Sequence, residues 1–467
     1  PPPFRPVFGI ETEYGIHAPS APDVHPSVLS AAVVAAYPGV ATGSTLDWVE
    51  PIPIEDAHNR VLANGARLYV DHAHPEYSSP EVTTAADAVA YDLAGDAAVV
   101  AGARAASAQL GFEIAIYKNN TDSHGASYGC HENHLLPRSL PWQWIEAALP
   151  AILVSRTVVV GAGRVGLGQS GELPGFQLSQ RADFFETVVG IQTTKRRPIV
   201  NTRDEPHAPP ARYRRLHVIT GDANRNQFAT WLKVGMLSSC LAAFRGDSVG
   251  TISLDDPVAA FRAVSHDPSL AITVGTSLGR LTALDLQEAL LEAVIAHAER
   301  EPDAHEPAVL AAWAEVLSDL RTDPASCADR LDWVAKLQLL RAFADRHDLQ
   351  WGHPKLAAVD LAWARLDASG PFDALARTSH QRTVVAPEAI ELAGTRPPID
   401  TRAWLRGSLV ARAPERVLAA SWDSMVMRDA HGTGRRLDLS EPRAHTRAEV
   451  GDLTDPAAVE ALLHRLG

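Results

Sequence analysis

The sequence predicts an α+β protein, and three features carry the prediction. Two early stretches, Val7-Phe8-Gly9-Ile10-Glu11-Thr12-Glu13-Tyr14-Gly15 and Arg67-Leu68-Tyr69-Val70-Asp71, alternate with the period of a β-strand. From Ala283 to Asp367 the pattern is almost wholly helical, with Leu, Val, Ala and Trp at 3.6-residue spacing, and these helices are expected to cover one side of the sheet. After the breaker run Gly394-Thr395-Arg396-Pro397-Pro398, a segment with Trp404 and Trp422 reads as a small C-terminal unit, giving expected domains of 1–395 and 396–467.

Taken in order, the first strand leads into a Pro- and Ala-rich connection from His17 to Asn59, with a short helix at Val28 to Ala36 and with Trp48, Glu50, Glu55 and Asp56 in no clear period. His74-Pro75 forces a turned or extended geometry after the second strand, swinging Glu76 back toward Asp71. Thr84 to Leu110 is an Ala-rich helix that ends at Gly111. Glu113 to Tyr117 is a strand, and His131-Glu132-Asn133-His134 opens another, with His131 and Asn133 on one face. Gly161-Ala162-Gly163-Arg164-Val165-Gly166 matches G-x-G-x-x-G, but Gln169 to Gly175 cannot start the helix that a dinucleotide site requires, so this stretch is read as a flexible loop. Ile199 to Arg203 and Arg215 to Ile219 are strands, the second with Arg215 and His217 on one face, and Asn226 to Arg245 is a helix.

At 467 residues, 46% hydrophobic and 21% charged, the chain has the make-up of a folded protein with a large core. No apolar run approaches the ~18 residues of a membrane helix, and Pro1 to Pro6 lacks a signal-peptide core, so a cytoplasmic protein without membrane association is expected. Three cysteines, Cys130, Cys240 and Cys327, form neither a disulfide framework nor a thiolate zinc motif; Cys130 beside His131 is kept as an alternative nucleophile. A net charge of −14 argues against nucleic-acid binding. Against that trend Lys195, Arg196, Arg197, Arg203, Arg212, Arg214 and Arg215 cluster, which suits a phosphate or an acidic partner.

The strand faces carry the chemistry. Gly9, Glu11 and Glu13 share one face, and adjacent carboxylates there are tolerated if water or a divalent cation lies between them. Arg67, Tyr69 and Asp71 share another, placing a cation, a phenol and a carboxylate in one row. Trp422 is either core or a platform for a base.

Together with Asn64-Gly65-Ala66 ahead of Arg67, His74-Pro75-Glu76-Tyr77, Ser127-Tyr128-Gly129-Cys130-His131-Glu132-Asn133, Asn201-Thr202-Arg203-Asp204-Glu205-Pro206-His207 and Arg214-Arg215-Leu216-His217, the two early motifs resemble the Pup ligase and depupylase family through nearly the whole chain. The short spacing of Asp71-His72-Ala73-His74-Pro75-Glu76 and the run Gly166 to Gln177 are similar to the deamidase and depupylase branch. The chain departs from its relatives in one respect: the segment between Tyr14 and Arg67 is too short for the whole of their long insertion, whether as a natural variant or by loop removal.

The resemblance implies a glutamine-synthetase-like fold, an antiparallel sheet curved into a cradle with helices behind it and a small C-terminal domain. It implies that Glu11, Tyr69 and Glu76, joined by His131 and His217, hold Mg²⁺, and that Arg67, Ser79, Arg215 and Trp422 contact ATP, with Arg203 also assigned to phosphate. Asp71 would be the catalytic carboxylate, as nucleophile or as general base. The implied reaction is hydrolysis of the side-chain amide on the last residue of Pup, in free Pup ending in Gln or in Pup joined to a lysine of a pupylated protein. ATP, or ADP with phosphate, would be a bound cofactor, and the partners would be Pup, pupylated proteins and, functionally, the bacterial proteasome. Pup ligation and silent Pup binding are the alternatives. The resemblance also implies an acidic, disordered modifier, which makes Lys195, Arg196, Arg197, Arg212 and Arg214 candidates to attract it.

Overall fold

The structure, a computed structural model, describes residues 6–41, 58–122, 124–244, 252–367, 369–378, 381–429, 431–453 and 458–462. Trp48, Glu50, Glu55 and Asp56 lie outside them. Helices and mainly antiparallel strands make it an α+β protein. Two compact units interleave along the chain. Val7–Ile116, Glu205–Arg214 and Val385–Gly467 form what we call the N/C unit, whereas Tyr117–Asp204 and Arg215–Val384 make most of the middle unit. Contacts therefore group the C-terminal segment with the first strands, a different division from one drawn along the chain at 395/396.

In the N/C unit, Phe8–Glu13, His74–Ser78, Arg67–Asp71, Asn59–Val61 and Val40–Ala41 are successive antiparallel neighbours. Alternation fixes their register, because a slip of one residue would turn every apolar side chain to the wrong face. Ile10, Thr12, Tyr14, Leu68, Val70 and Tyr77 are all buried. Helix Ala85–Leu110 packs there, capped by the Thr84 side chain at Asp87 N and closed by Gly111 at φ 79°. It meets the strand through polar anchors as well: Thr12 Oγ1 donates to Asp92 at 3.1 Å and the Tyr14 hydroxyl to Asp96 at 2.8 Å. Gly95 permits the close approach, since a Cβ there would sit 2.3 Å from the Tyr77 ring. Helix Pro26–Ala36, which starts two residues before the expected Val28–Ala36, lies against the Arg67–Asp71 and His74–Ser78 strands.

The C-terminal segment contributes helix Ala403–Arg412 and the antiparallel strands Val417–Ala420, Ser424–Arg428 and Gly434–Asp438. Leu405, Leu409, Met425, Met427 and Leu437 form its core, which Val61 joins. Helix Pro387–Thr395 runs into the expected linker at Gly394, so only Arg396-Pro397-Pro398 of that run is non-helical.

In the middle unit, Cys130–Pro137 alternates buried and half-buried residues along its length. The expected helices appear as Gln227–Phe244, Ala283–Ala298, Pro307–Thr322, Asp332–His347 and Pro354–Ala364. Two readings change. The glycine-rich stretch is a hairpin rather than a loop: Arg164–Leu167 pairs with Leu173–Gln177, and a strand after Gly163 is incompatible with a dinucleotide-binding turn. Cys130 is 1% exposed with its Sγ 3.4 Å from the Lys233 ammonium, which makes it a packed thiol and not an accessible nucleophile. No helix among the described residues is long and apolar enough to cross a membrane.

Glu132, on the buried face of Cys130–Pro137, meets Arg156 at 2.7 Å with both side chains 1% exposed. Burial works to raise its carboxyl, but Arg156 and His134 outweigh burial and hold it at about 2. A carboxyl lowered on folding adds stability that is present above its ordinary value of 4.5 and lost as pH falls toward 2. Glu132→Gln, which leaves Arg156 buried without its anion, is expected to cost ~3–5 kcal/mol at pH 7. Thermal melts followed by circular dichroism should also show the variant losing less stability than the parent between those two pH values.

Candidate active site

Strand pairing brings the polar residues of the N/C unit onto one face in rows. Glu11, Ser78 and Arg67 are cross-strand partners in one row, and Glu13, Glu76 and Tyr69 in the next. Asp71 pairs with His74 at the turn end of the hairpin. His72 and Ala73 make the two-residue turn at φ 52° and 122°, a conformation usually left to Asn and Gly. Strain of that kind, of order 1–3 kcal/mol per residue, persists only where surroundings enforce it. Here Ser30 Oγ donates to the Ala73 carbonyl at 2.7 Å, His74 Nδ1 lies 3.0 Å from the Tyr14 carbonyl, and His72 Nδ1 lies 2.9 Å from Asp71 Oδ1.

The electrostatics follow from crowding. Burial, then Glu13, Glu11 and Asp71, push the Glu76 carboxyl well above the usual carboxylate range. Burial, then Glu76 and Glu11, push the Tyr69 phenol up as well. Glu13, Asp71 and Glu76 each offer an oxygen, and the three oxygens lie within 4.8 Å of one another. Hard oxygen donors at that separation are those a divalent cation takes, and its charge would let all three ionise together. Glu13 is not in the ligand set that the resemblance implies, although strand alternation places it on the face of Glu11, where the two carboxylates suit a divalent cation.

Arg67 sits at the other end of the same strand. Its Nη2 donates to the Ala420 carbonyl at 2.6 Å and its guanidinium lies over the Trp422 ring, 5.3 Å from the centroid. Its buried Nε has no hydrogen-bond partner among the described residues. Burial and then Arg406 lower it to about 10, so it remains a cation at neutral pH. Ser79 is buried, its hydroxyl accepting from Ile10 N at 2.9 Å and donating to the Pro80 carbonyl.

The remaining expected residues belong to the middle unit. His131 and His217 meet edge to face with centroids 4.9 Å apart. Asn133, which is in no expected ligand set, joins two of the others: its Oδ1 accepts from Arg215 Nη1 at 3.0 Å and lies 2.8 Å from His217 Nδ1. Arg203 is exposed. The basic cluster divides between the units and is partly committed. Arg197 donates to the Thr193 and Ser127 carbonyls and lies over Phe184, and Arg212 pairs with Glu441 at 2.7 Å, whereas Lys195 and Arg196 are exposed.

These features define a class: an α+β protein with an antiparallel strand face of carboxylates and a phenol, and with a buried arginine and an indole at one end of it. Comparison with known proteins gives the family. The chain belongs to the Pup-ligase protein family, which it matches over residues 6–426. It is 44% identical to the depupylase of Acidothermus cellulolyticus, over 96% of each chain, and 44% identical to the Pup deamidase/depupylase of Mycolicibacterium smegmatis, over 96% of this chain and 97% of that one. Identity to the Pup–protein ligase of Micrococcus luteus is 39%, over 91% and 93%. Among solved structures, the ligase PafA in complex with Pup superposes with a TM-score of 0.83 at 28% identity, covering 98% of this chain and 92% of PafA; PafA with ADP gives 0.76 at 30%, covering 91% and 96%. The fold is thus the glutamine-synthetase-like one that the resemblance implied.

Crowded carboxylates predict a cation effect with a definite sign. Because Glu76 is raised on folding, its contribution is full below the ordinary carboxylate value of 4.5 and is lost as pH rises. Metal-free protein is therefore expected to lose stability as pH rises above that value. Added Mg²⁺ should restore about 2.7 kcal/mol at a hundredfold excess over its dissociation constant. Glu76→Gln should blunt both effects in calorimetric melts run with and without chelator.

Proposed function

We propose that this protein hydrolyses the side-chain amide of the C-terminal residue of Pup, deamidating Pup-Gln to Pup-Glu and cleaving the isopeptide bond between Pup and a target lysine. The observation that carries the reading is the higher identity to relatives named depupylase or Pup deamidase/depupylase than to those named Pup–protein ligase. Pup and pupylated proteins are then the partners, with a functional link to the bacterial proteasome in the cytoplasm.

ATP, or ADP with phosphate, and Mg²⁺ fit the residues present. The Nε of Arg67, buried and without a hydrogen-bond partner among the described residues, is a donor that a phosphate oxygen would satisfy, and Trp422 is half-buried beside it. Glu13, Asp71 and Glu76 form an oxygen donor set, with Glu11 and Tyr69 on the same face. Bound Mg²⁺ would supply charge neutralisation and carbonyl polarisation. In the middle unit the assignments are His131 and His217 to metal and Arg203 and Arg215 to phosphate, with Ser79 assigned to nucleotide in the N/C unit.

Asp71 is the catalytic group in this reading. Its side chain is 39% exposed at the end of the hairpin, reachable by a substrate carbonyl, while the strand and the turn hold its position. As a nucleophile its carboxylate adds to the amide carbonyl, the leaving amine takes a proton, and water opens the resulting anhydride. As a general base it takes the proton of a water that attacks directly. Single turnover in ¹⁸O-labelled water separates the two, since only the anhydride route can leave label in the Asp71 carboxylate.

Asp71→Asn is expected to abolish conversion of Pup-Gln to Pup-Glu, read by mass spectrometry, while ATP and Pup still bind. Formation of Pup–lysine conjugates by the parent protein in place of that conversion would identify a ligase. For the basic cluster, exposed Arg196 is the position to test, because Arg197 is part of the packing. Arg196→Glu should raise KM for Pup several-fold and flatten its salt dependence with kcat little changed, as expected for an attraction screened over ~8 Å at physiological salt.

A further inference from the structure

Two guanidiniums lie over the Trp422 ring, and they differ in what they have left to bind. Arg406 Cζ is 4.8 Å from the ring centroid, and its side chain is fully buried. All five of its N–H groups are engaged: Nε and Nη2 with the Gly65 carbonyl at 3.0 and 2.9 Å, Nη1 with Glu81 and with the Trp422 carbonyl at 3.2 Å each, and Nη2 with the second Glu81 oxygen. Arg67, by contrast, keeps an Nε with no hydrogen-bond partner among the described residues. Arg406 thus has no donor for a ligand; what it can do is hold the indole, through both the ring face and the backbone carbonyl.

Glu81 is the anion that holds Arg406. It also accepts from Arg402 Nε at 2.7 Å, and Arg402 in turn donates to the Leu439 carbonyl at 2.8 Å. Ser421 N donates to Ser424 O at 2.8 Å and Leu439 N to Asp423 O at 2.8 Å, which closes the turn bearing Trp422. Glu81 lies three residues beyond the His74–Ser78 strand, so this buried network ties the carboxylate strand to the Trp422 turn.

We propose that Arg406, clamped by Glu81, is a positioning residue that sets the plane of Trp422 for the base of a bound nucleotide, so that the network governs base recognition rather than phosphate affinity. The proposal rests on the reading of Trp422 as a nucleotide contact. Lysine cannot replace the planar fork, because it is a compact ammonium without a face to stack. In the full-length protein carrying 5-fluorotryptophan, with the Trp422 signal assigned through its loss in Trp422→Phe, Arg406→Lys should shift or broaden that ¹⁹F resonance without nucleotide present. With Mg²⁺, it should weaken ATP binding about tenfold, ~1.4 kcal/mol, and leave inorganic tripolyphosphate binding within about twofold. Glu81→Gln, which keeps the guanidinium and removes only its anion, should move the same readouts in the same direction and serves if Arg406→Lys does not fold. An unmoved Trp422 resonance in either folded variant overturns the proposal, as does an equal loss of ATP and tripolyphosphate binding. Failure of the underlying reading shows separately, as unchanged ATP affinity in Trp422→Phe.

Discussion

Repulsion among carboxylates on one strand face is the constraint on which the N/C unit depends. Glu11 and Glu13 sit two residues apart on Phe8–Glu13, Glu76 stands opposite Glu13, and Asp71 completes the group at the hairpin end. Left to itself such a face would splay, so the opposite face must bind the strands firmly enough to keep register. It does so with fully buried Thr12, Tyr14, Leu68 and Val70, with hydrogen bonds into helix Ala85–Leu110, and with Gly95 admitting the Tyr77 ring. Register and repulsion are then one problem: the apolar period that fixes the strands is what forces the carboxylates together.

What is local in this arrangement is legible in the sequence, and what depends on strand pairing is not. Period-2 alternation is a local signal, so the faces of Val7 to Gly15 and Arg67 to Asp71 could be read directly, as could the helix from Thr84 to Gly111 from its caps. Glu13 was visible on its face, yet its nearness to Asp71 and Glu76 depends on pairing between strands some sixty residues apart, which periodicity does not contain. Glu81 and Arg406 are 325 residues apart in the chain. Neither lies in a motif, and only burial shows that each is the other's partner. The grouping of residues 385–467 with 7–116 was illegible for a related reason: a Pro-rich run marks where regular structure stops, not which surfaces pack together.

The glycine-rich stretch shows the complementary case, in which a motif misleads and local physics corrects it. Gly163, Gly166 and Gly168 take φ of 71°, 86° and 88°, values that suit turns and strand ends. The hairpin they permit uses the same residue type as a phosphate-binding loop for a different end. Composition could reject the helix after these glycines; it could not distinguish a hairpin from a loop, because Arg164–Leu167 is only four residues long.

Glu81 is shared by Arg402 and Arg406, and those two guanidiniums outweigh its burial and hold it at about 2, so it stays an anion throughout the neutral range. Asp423 also acts on Arg67 and Arg402, so two carboxylates stand against the three guanidiniums of Arg67, Arg402 and Arg406, which leaves a local excess of positive charge. The carboxylate face has the opposite excess. Within one sheet, then, the Arg67 end of the face calls for an anion and the Asp71 end for a cation, and a polyphosphate chelating a divalent metal is a single ligand that supplies both. The rows Glu11–Ser78–Arg67 and Glu13–Glu76–Tyr69 lie two residues apart along the same strands, with Asp71 two residues further on. That polarity, more than any one residue, is what the fold holds in place.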